Sequence, residues 1–258
     1  MKDQTVKMVR FVMGDEERCG IVSGKRVRIL KGDFFGEKFE FTGKGVALEK
    51  VRILPPVSPS KIVAVGLNYR DHIEEFKSDV PAEPCIFLKP PSAVIGHGDA
   101  IVMPAASKRV DYEAELAIVI RRCCRNIAPE QAKEFVLGYT CLNDVTARDL
   151  QNSDKQWARA KSFDTFCPVG PFVVSGIDPD ACSIRSIQNG AVRQDSHTSR
   201  MVFSCSFIVS FVSRVMTLMP GDLIATGTPG GGGTLTAGDT IEVDIEGIGT
   251  LTNTVAKE

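Results

Sequence analysis

The sequence predicts a mostly β protein with some helix, an α+β chain, and three observations carry that expectation. Short apolar runs ending in turn residues recur along the 258 residues, segments with helical spacing are few, and "IQNGAVR" sets Asn189 and Gly190 between two runs of strand character. An Asn-Gly pair in that setting tolerates positive φ at both positions and therefore marks a two-residue hairpin.

Taken in order, "MVRFVM", "CGIVSG" and "RVRIL" alternate with Gly and charge over residues 7 to 54 and read as small hairpins. "LPPVSPSK", residues 54 to 61, holds three prolines that neither a helix nor a central strand would keep. A boundary is expected there, with a small N-terminal β-hairpin domain over 1–55 and a larger domain over 56–258. "KIVAVG" opens the larger part as a strand and "NYRDHIEEFKSD" follows as a helix. "CIFLKP", "AIVMP", "ELAIVI", "PFVVSG", "DLIATG" and "TIEVDIEG" each read as strands. "PEQAKEFVLG" is expected to be helical, with Pro129 near its first turn and Gly138 as its stop. "SFIVSFVSRVMTLMPG" places Phe207, Phe211 and Val215 at i, i+4 and i+8, with Ile208, Val212 and Met216 beside them, which reads as a core-filling helix face.

Hydrophobic content of 43% with 24% charged residues is that of a folded soluble chain. A net charge of −1 and a pI of about 6.3 provide no basic surface, so neither nucleic acid nor membrane is an expected partner. The stretch "MKDQTVKMVRFVMGDEERCG" carries acids early and lacks a sustained apolar core, which argues against a signal peptide or membrane span and for a cytoplasmic protein. None of the eight cysteines falls in a C-x-x-C pair, so most are expected as small buried hydrophobes in a reducing compartment.

"RVDYEAELAIVI", residues 109 to 120, puts Asp111, Glu113 and Glu115 on alternate positions, hence on one face of a strand that becomes unbroken apolar. Carboxylates crowded in a desolvated place must share a proton or a cation. Asp144, in "CLNDVTARDLQ", caps a turn if it acts alone. With Glu113 and Glu115 it completes an oxygen-only donor set suited to Mg²⁺, or to Mn²⁺ or Ca²⁺. Asp111 is expected to be a strand-entry residue. A dication held this way leaves positions open for a substrate with two adjacent oxygens, such as a 2-oxo acid. His72 and Glu75 share a helical face and can form a base with an orienting carboxylate, or simply an exposed ion pair. Lys161, among aromatic neighbours, can steady a developing negative charge or merely cover Phe163. "ATGTPGGGG" lacks the G-K-[ST] of a Walker loop; its backbone N–H groups and the Thr228 hydroxyl can cradle a carboxylate, although a plain turn also explains the glycines.

In order, "KIVAVGLNYRDHIEEF", "EPCIFLKPPSAVIG", "RVDYEAELAIVI", "GYTCLNDVTARDLQ", "RAKSFDTFCPVGP" and "PGDLIATGTPGG" make residues 56 to 258 resemble the fumarylacetoacetate hydrolase family, in its short bacterial and mitochondrial-type branch. The resemblance implies a mixed β-roll fold, a homodimer, and Mg²⁺ or Mn²⁺ held by Glu113, Glu115 and Asp144. It further implies a water-activating pair His72 and Glu75 on a lid helix, an active-site lysine at Lys161, and substrate contacts at Arg148, Gln151 and Thr228. Gly232 departs from many relatives, which carry an apolar residue there; if that residue shapes the pocket wall, the substrate fit changes. Relatives hydrolyse acylpyruvates or fumarylpyruvate, decarboxylate oxaloacetate, or isomerise and decarboxylate 2-oxohept-3-ene-1,7-dioate from aromatic catabolism, all through a metal-stabilised enolate. The expected function is C–C hydrolysis of such a 2-oxo acid; isomerisation or decarboxylation, and a non-catalytic carboxylate-binding subunit, are the alternatives.

Overall fold

The computed structural model describes residues 5–36, 38–77 and 79–258. The chain is 45% strand and 18% helix. Among the described residues the largest sheet has 12 strands: ten run, from one edge, through Phe41–Ala47, Arg26–Leu30, Glu16–Ser23, Val6–Met13, Cys167–Ser175, Val136–Asn143, Ala114–Ile120, Leu223–Ala225 and Ile62–Gly66 to Cys85–Lys89, while Arg52–Ile53 pairs with Val6–Met13 and Val94–Ile95 with Cys167–Ser175 off this path. Along this path only Leu223–Ala225 and Ile62–Gly66 pair in parallel. The N-terminal hairpins join the rest through Val6–Met13, whose register runs from Val6↔Ser175 to Met8↔Val173.

The strand Ala114–Ile120 lies at the centre because it is apolar on both sides. Leu116, Ile118 and Ile120 enter one core cluster, while Ala117 and Val119 enter another. A strand covered on both faces reads as a continuous apolar run rather than an alternating one. Each fully buried leucine or isoleucine there contributes roughly 1.5–3 kcal/mol of burial free energy. Glu115 falls on the Ala117 and Val119 side by strand alternation.

A 5-stranded sheet, ordered Ala191–His197, Ser183–Gln188, Thr240–Ile245, Gly249–Lys257 and Ala100–Met103, carries the expected hairpin. Asn189 and Gly190 both have positive φ, 53° and 78°, and Gln188 pairs with Ala191 across them. A 3-stranded sheet joins Thr146–Ala147, Val110–Tyr112 and Gly233–Thr234. The acidic run is therefore divided: Asp111 belongs to the small sheet, Glu115 to the large one, and Glu113 sits at the break.

Two helix expectations need correction. "PEQAKEFVLG" forms only the 3₁₀ turn Pro129–Gln131 and the helix Ala132–Phe135, after which Val136–Asn143 is a strand. Gly138 is thus no helix stop; a Cβ there would stand 2.5 Å from the Val174 carbonyl oxygen, so glycine permits close strand pairing. The helix Cys205–Val215 exists, with the Ser204 hydroxyl accepting from the Phe207 N–H, and it buries Ile208 and Val212 of the expected face but not the Phe207, Phe211 and Val215 line. Cys205, Ile208, Val209 and Val212 enter the core, whereas Val215 is 57% exposed. The helix expected over 68–79 spans Arg70–Phe76 and ends at Lys77, whose φ of 50° is left-handed; Ser78 lies outside the described residues, as do residues 1–4 of the N-terminal stretch read above. Among the described residues no helix is long and apolar enough to cross a membrane.

Candidate active site

Adjacent strands bring the acids together. Asn143 Oδ1 accepts from the Glu113 N–H at 2.9 Å, and the Asp144 N–H donates to the Glu113 carbonyl at 2.9 Å. These reciprocal bonds lock the two strand ends, so Glu113, Glu115 and Asp144 present carboxylate oxygens within 4.8 Å of one another, all three residues buried. Among the described residues this is the only His, Cys, Asp or Glu cluster of metal-binding geometry.

Cations hold two of these acids. Lys161 Nζ lies 2.7 Å from both Glu113 Oε2 and Asp144 Oδ2. Burial alone would raise the Glu113 carboxyl, but Lys161 and Arg148 outweigh it and hold the group at about 2. Burial likewise works against the charged Lys161, and Asp144 with Glu113 overcomes it, so its ammonium is raised above the ordinary lysine value. Glu115 differs. Its Oε2 accepts the Gly227 N–H at 2.8 Å, and among the described residues no cationic side chain bonds it. Burial, then Asp144 and Glu113, push its carboxyl well above the usual carboxylate range. The donor set is oxygen only and so fits a hard divalent cation, whose charge would favour ionisation of Glu115, the acid that burial and its acidic neighbours raise.

Glycine at 227 is required by geometry. Its φ is 97°, and a Cβ would stand 2.8 Å from Asn68 Cβ. Asn68, fully buried, donates to the Thr226 carbonyl at 2.7 Å and accepts from Phe203 N–H at 2.8 Å, fixing the chain that leads into the helix Arg70–Phe76.

A cavity of about 270 Å³ opens over the acids, and His72, Glu113, Glu115, Asp144, Arg148, Gln151, Lys161 and Thr228 all line it. Burial lowers the His72 imidazole below its ordinary value, against the pull of Glu113 and Glu75, so the ring is neutral near pH 7. Glu75 does not line the cavity; its Oε2 accepts from the Gly231 N–H at 2.9 Å and ties the helix to the glycine-rich loop. Gly232 is not among the residues lining the cavity, and a Cβ there would stand 3.1 Å from the Tyr112 carbonyl oxygen. Asp111 is the strand residue expected: 2% exposed, it holds Arg148 Nε at 2.9 Å and stands outside the acid triad. Arg148 in turn reaches Glu113 at 2.5 Å and Gln151 at 2.6 Å.

Sequence reading missed Lys89 and the aromatic wall. Lys89, 1% exposed, donates to Asp144 Oδ1 at 2.5 Å and to the Val145 carbonyl at 3.2 Å. A lysine ending the apolar run "CIFLKP" was the available signal. Val65, Phe87 and Trp157 also line the cavity, with the two rings edge to face at 5.1 Å and Lys161 Nζ 5.2 Å from the Phe87 ring centroid. Trp157 comes from a polar, loop-like stretch, where nothing in the spacing points inward.

The fumarylacetoacetate (FAA) hydrolase C-terminal profile matches residues 61–256. The chain belongs to this family. An Rv2993c-like N-terminal profile matches residues 6–56. Among solved structures, the family member resembles 2-hydroxyhepta-2,4-diene-1,7-dioate isomerase from Mycobacterium marinum at 44% identity and TM-score 0.92, covering 98% of this chain and 99% of that one. It also resembles maleylpyruvate hydrolase from Sphingobium sp. SYK-6, in complex with manganese(II) and pyruvate, at 31% identity and TM-score 0.81, covering 97% and 99%. In sequence it is 43% identical over 219 residues to the mitochondrial oxaloacetate tautomerase FAHD2A of Bos taurus, covering 80% of this chain and 70% of that protein. Family members are thus isomerases, tautomerases and hydrolases.

Proposed function

We propose that this protein is a divalent-metal-dependent enzyme that carries a small 2-oxo acid through its enolate, with keto–enol tautomerisation or isomerisation as the outcome. The observation that carries the reading is the convergence of Glu113, Glu115 and Asp144 beneath a cavity that His72 and Lys161 also line. Glu113, Glu115 and Asp144 would hold Mg²⁺ or Mn²⁺, which would supply Lewis acidity toward a 2-oxo group in the cavity. His72, neutral by burial, takes a proton from the carbon next to the oxo group and returns it elsewhere on the substrate. Lys161, kept charged, steadies the enolate oxygen. The Thr228 hydroxyl donates to the substrate carboxylate, while Val65, Phe87 and Trp157 give the same cavity an apolar lining that disfavours water. The outcome is supported by the isomerase and tautomerase relatives at 43–44% identity.

C–C hydrolysis of an acylpyruvate-like acid is the second reading. It uses the same groups with one change, His72 taking its proton from water, and is favoured by the resemblance to a maleylpyruvate hydrolase. The test is to follow oxaloacetate enol absorbance and pyruvate release from acetylpyruvate, with Mg²⁺ and with EDTA. Metal-dependent loss of the enol signal supports tautomerisation, and metal-dependent pyruvate release supports hydrolysis. Neither substrate responding to metal would contradict the proposal.

A further inference from the structure

Gln194 lies in the strand Ala191–His197 of the 5-stranded sheet, is fully buried, and does not line the cavity. Its side-chain amide has three partners in two directions. Oε1 accepts from the Ala114 N–H at 3.0 Å, between Glu113 and Glu115 in the chain. Nε2 donates to the Pro229 carbonyl at 2.8 Å and to Thr228 Oγ1 at 2.8 Å. The orientation of this amide is fixed by its neighbours: a backbone N–H can only donate and a carbonyl can only accept, so the oxygen must face Ala114 and the NH₂ must face the loop.

That fixed orientation determines what Thr228 can do. A hydroxyl has one proton and two lone pairs. One lone pair of Oγ1 is engaged by Gln194, and the Pro229 carbonyl, at 3.5 Å and already taken by Gln194, is too distant to hold the hydroxyl proton well. Thr228 is 6% exposed and that remnant opens into the cavity beside the acids. We infer that Gln194 is a positioning residue that, by occupying one acceptor lone pair of Thr228, orients its hydroxyl to donate toward the cavity and so favours a ligand with a carboxylate oxygen at that point.

The inference rests on the proposed 2-oxo acid site, and the test separates the two. The probe is oxalate, whose adjacent oxygens mimic a 2-oxo acid, titrated calorimetrically into Mn²⁺-loaded protein, with Mn²⁺ affinity measured separately by electron paramagnetic resonance. Thr228→Val removes the donor and is expected to weaken oxalate about tenfold or more, the loss of one hydrogen bond to a charged group. Thr228→Ser restores it. Gln194→Glu keeps an acceptor for the Ala114 N–H but now accepts the Thr228 proton, so oxalate weakens similarly while Mn²⁺ affinity is retained. The double variant is expected to lose no more than Thr228→Val alone, since both act on one hydrogen bond. If Gln194→Glu does not fold, Gln194→Met, neutral and of similar length, takes its place in the cycle. Wild-type protein that binds Mn²⁺ but not oxalate would overturn the functional reading and this inference with it. Oxalate binding unchanged in Thr228→Val, or losses that add in the double variant, would overturn this inference alone.

Discussion

His72 and Lys161 stand in the same cavity under opposite influences, and each yields a testable consequence. Burial dominates at His72 and lowers its pKa, so the base form persists below the ordinary imidazole range. The acidic limb of kcat/KM is expected to fall as pH drops through that lowered value, below the usual value of about 6.5; a limb at or above it would contradict the assignment. His72→Ala should cost about 10²- to 10⁴-fold in rate. At Lys161 the acids win over burial, and its ammonium occupies the space between Glu113 and Asp144. Lys161→Met should therefore lower kcat about 10²-fold or more, yet not weaken Mn²⁺ binding, because it removes positive charge beside the acids. Weaker Mn²⁺ binding in that variant would show that Lys161 supports the ion rather than the substrate.

At the scale of elements, the helix Cys205–Val215 and the strand Val136–Asn143 are where packing overrode local pattern. Ile208 is buried and Val215 exposed although both belong to apolar lines in the sequence. Ile208→Ala should destabilise by about 2–5 kcal/mol, and Val215→Ala by no more than about 0.5 kcal/mol, in denaturant unfolding. Equal costs would contradict the observed face. Gly138→Ala forces a Cβ toward the backbone of Val174 and should cost about 1–3 kcal/mol by the same measurement. These elements also show what sequence reasoning can reach. The hairpin at Asn189–Gly190 was legible because its turn demands particular residues locally. Gly138 was misread because a glycine after a helical pattern looks like a stop, while its real reason is a strand far away in sequence.

Across the whole molecule, the acids were legible and their neighbours less so. Glu113, Glu115 and Asp144 announced themselves because carboxylates in apolar strands cost free energy unless matched. Lys89, Asn68 and Trp157 did not, since their partners lie 55 or more residues away or, for Trp157, on a strand reached only through tertiary packing. Residues of three sheets and three core clusters flank the acids, so a dication that binds the folded site stabilises the native state by mass action. Thermal unfolding should accordingly move upward with added Mg²⁺, and the shift should be absent in Asp144→Asn. The most direct test is a Mn²⁺ titration of the wild type against Glu115→Gln, followed by electron paramagnetic resonance. A saturable site in the wild type that is lost or greatly weakened in Glu115→Gln is expected; no saturable binding, or binding indifferent to the substitution, would contradict it.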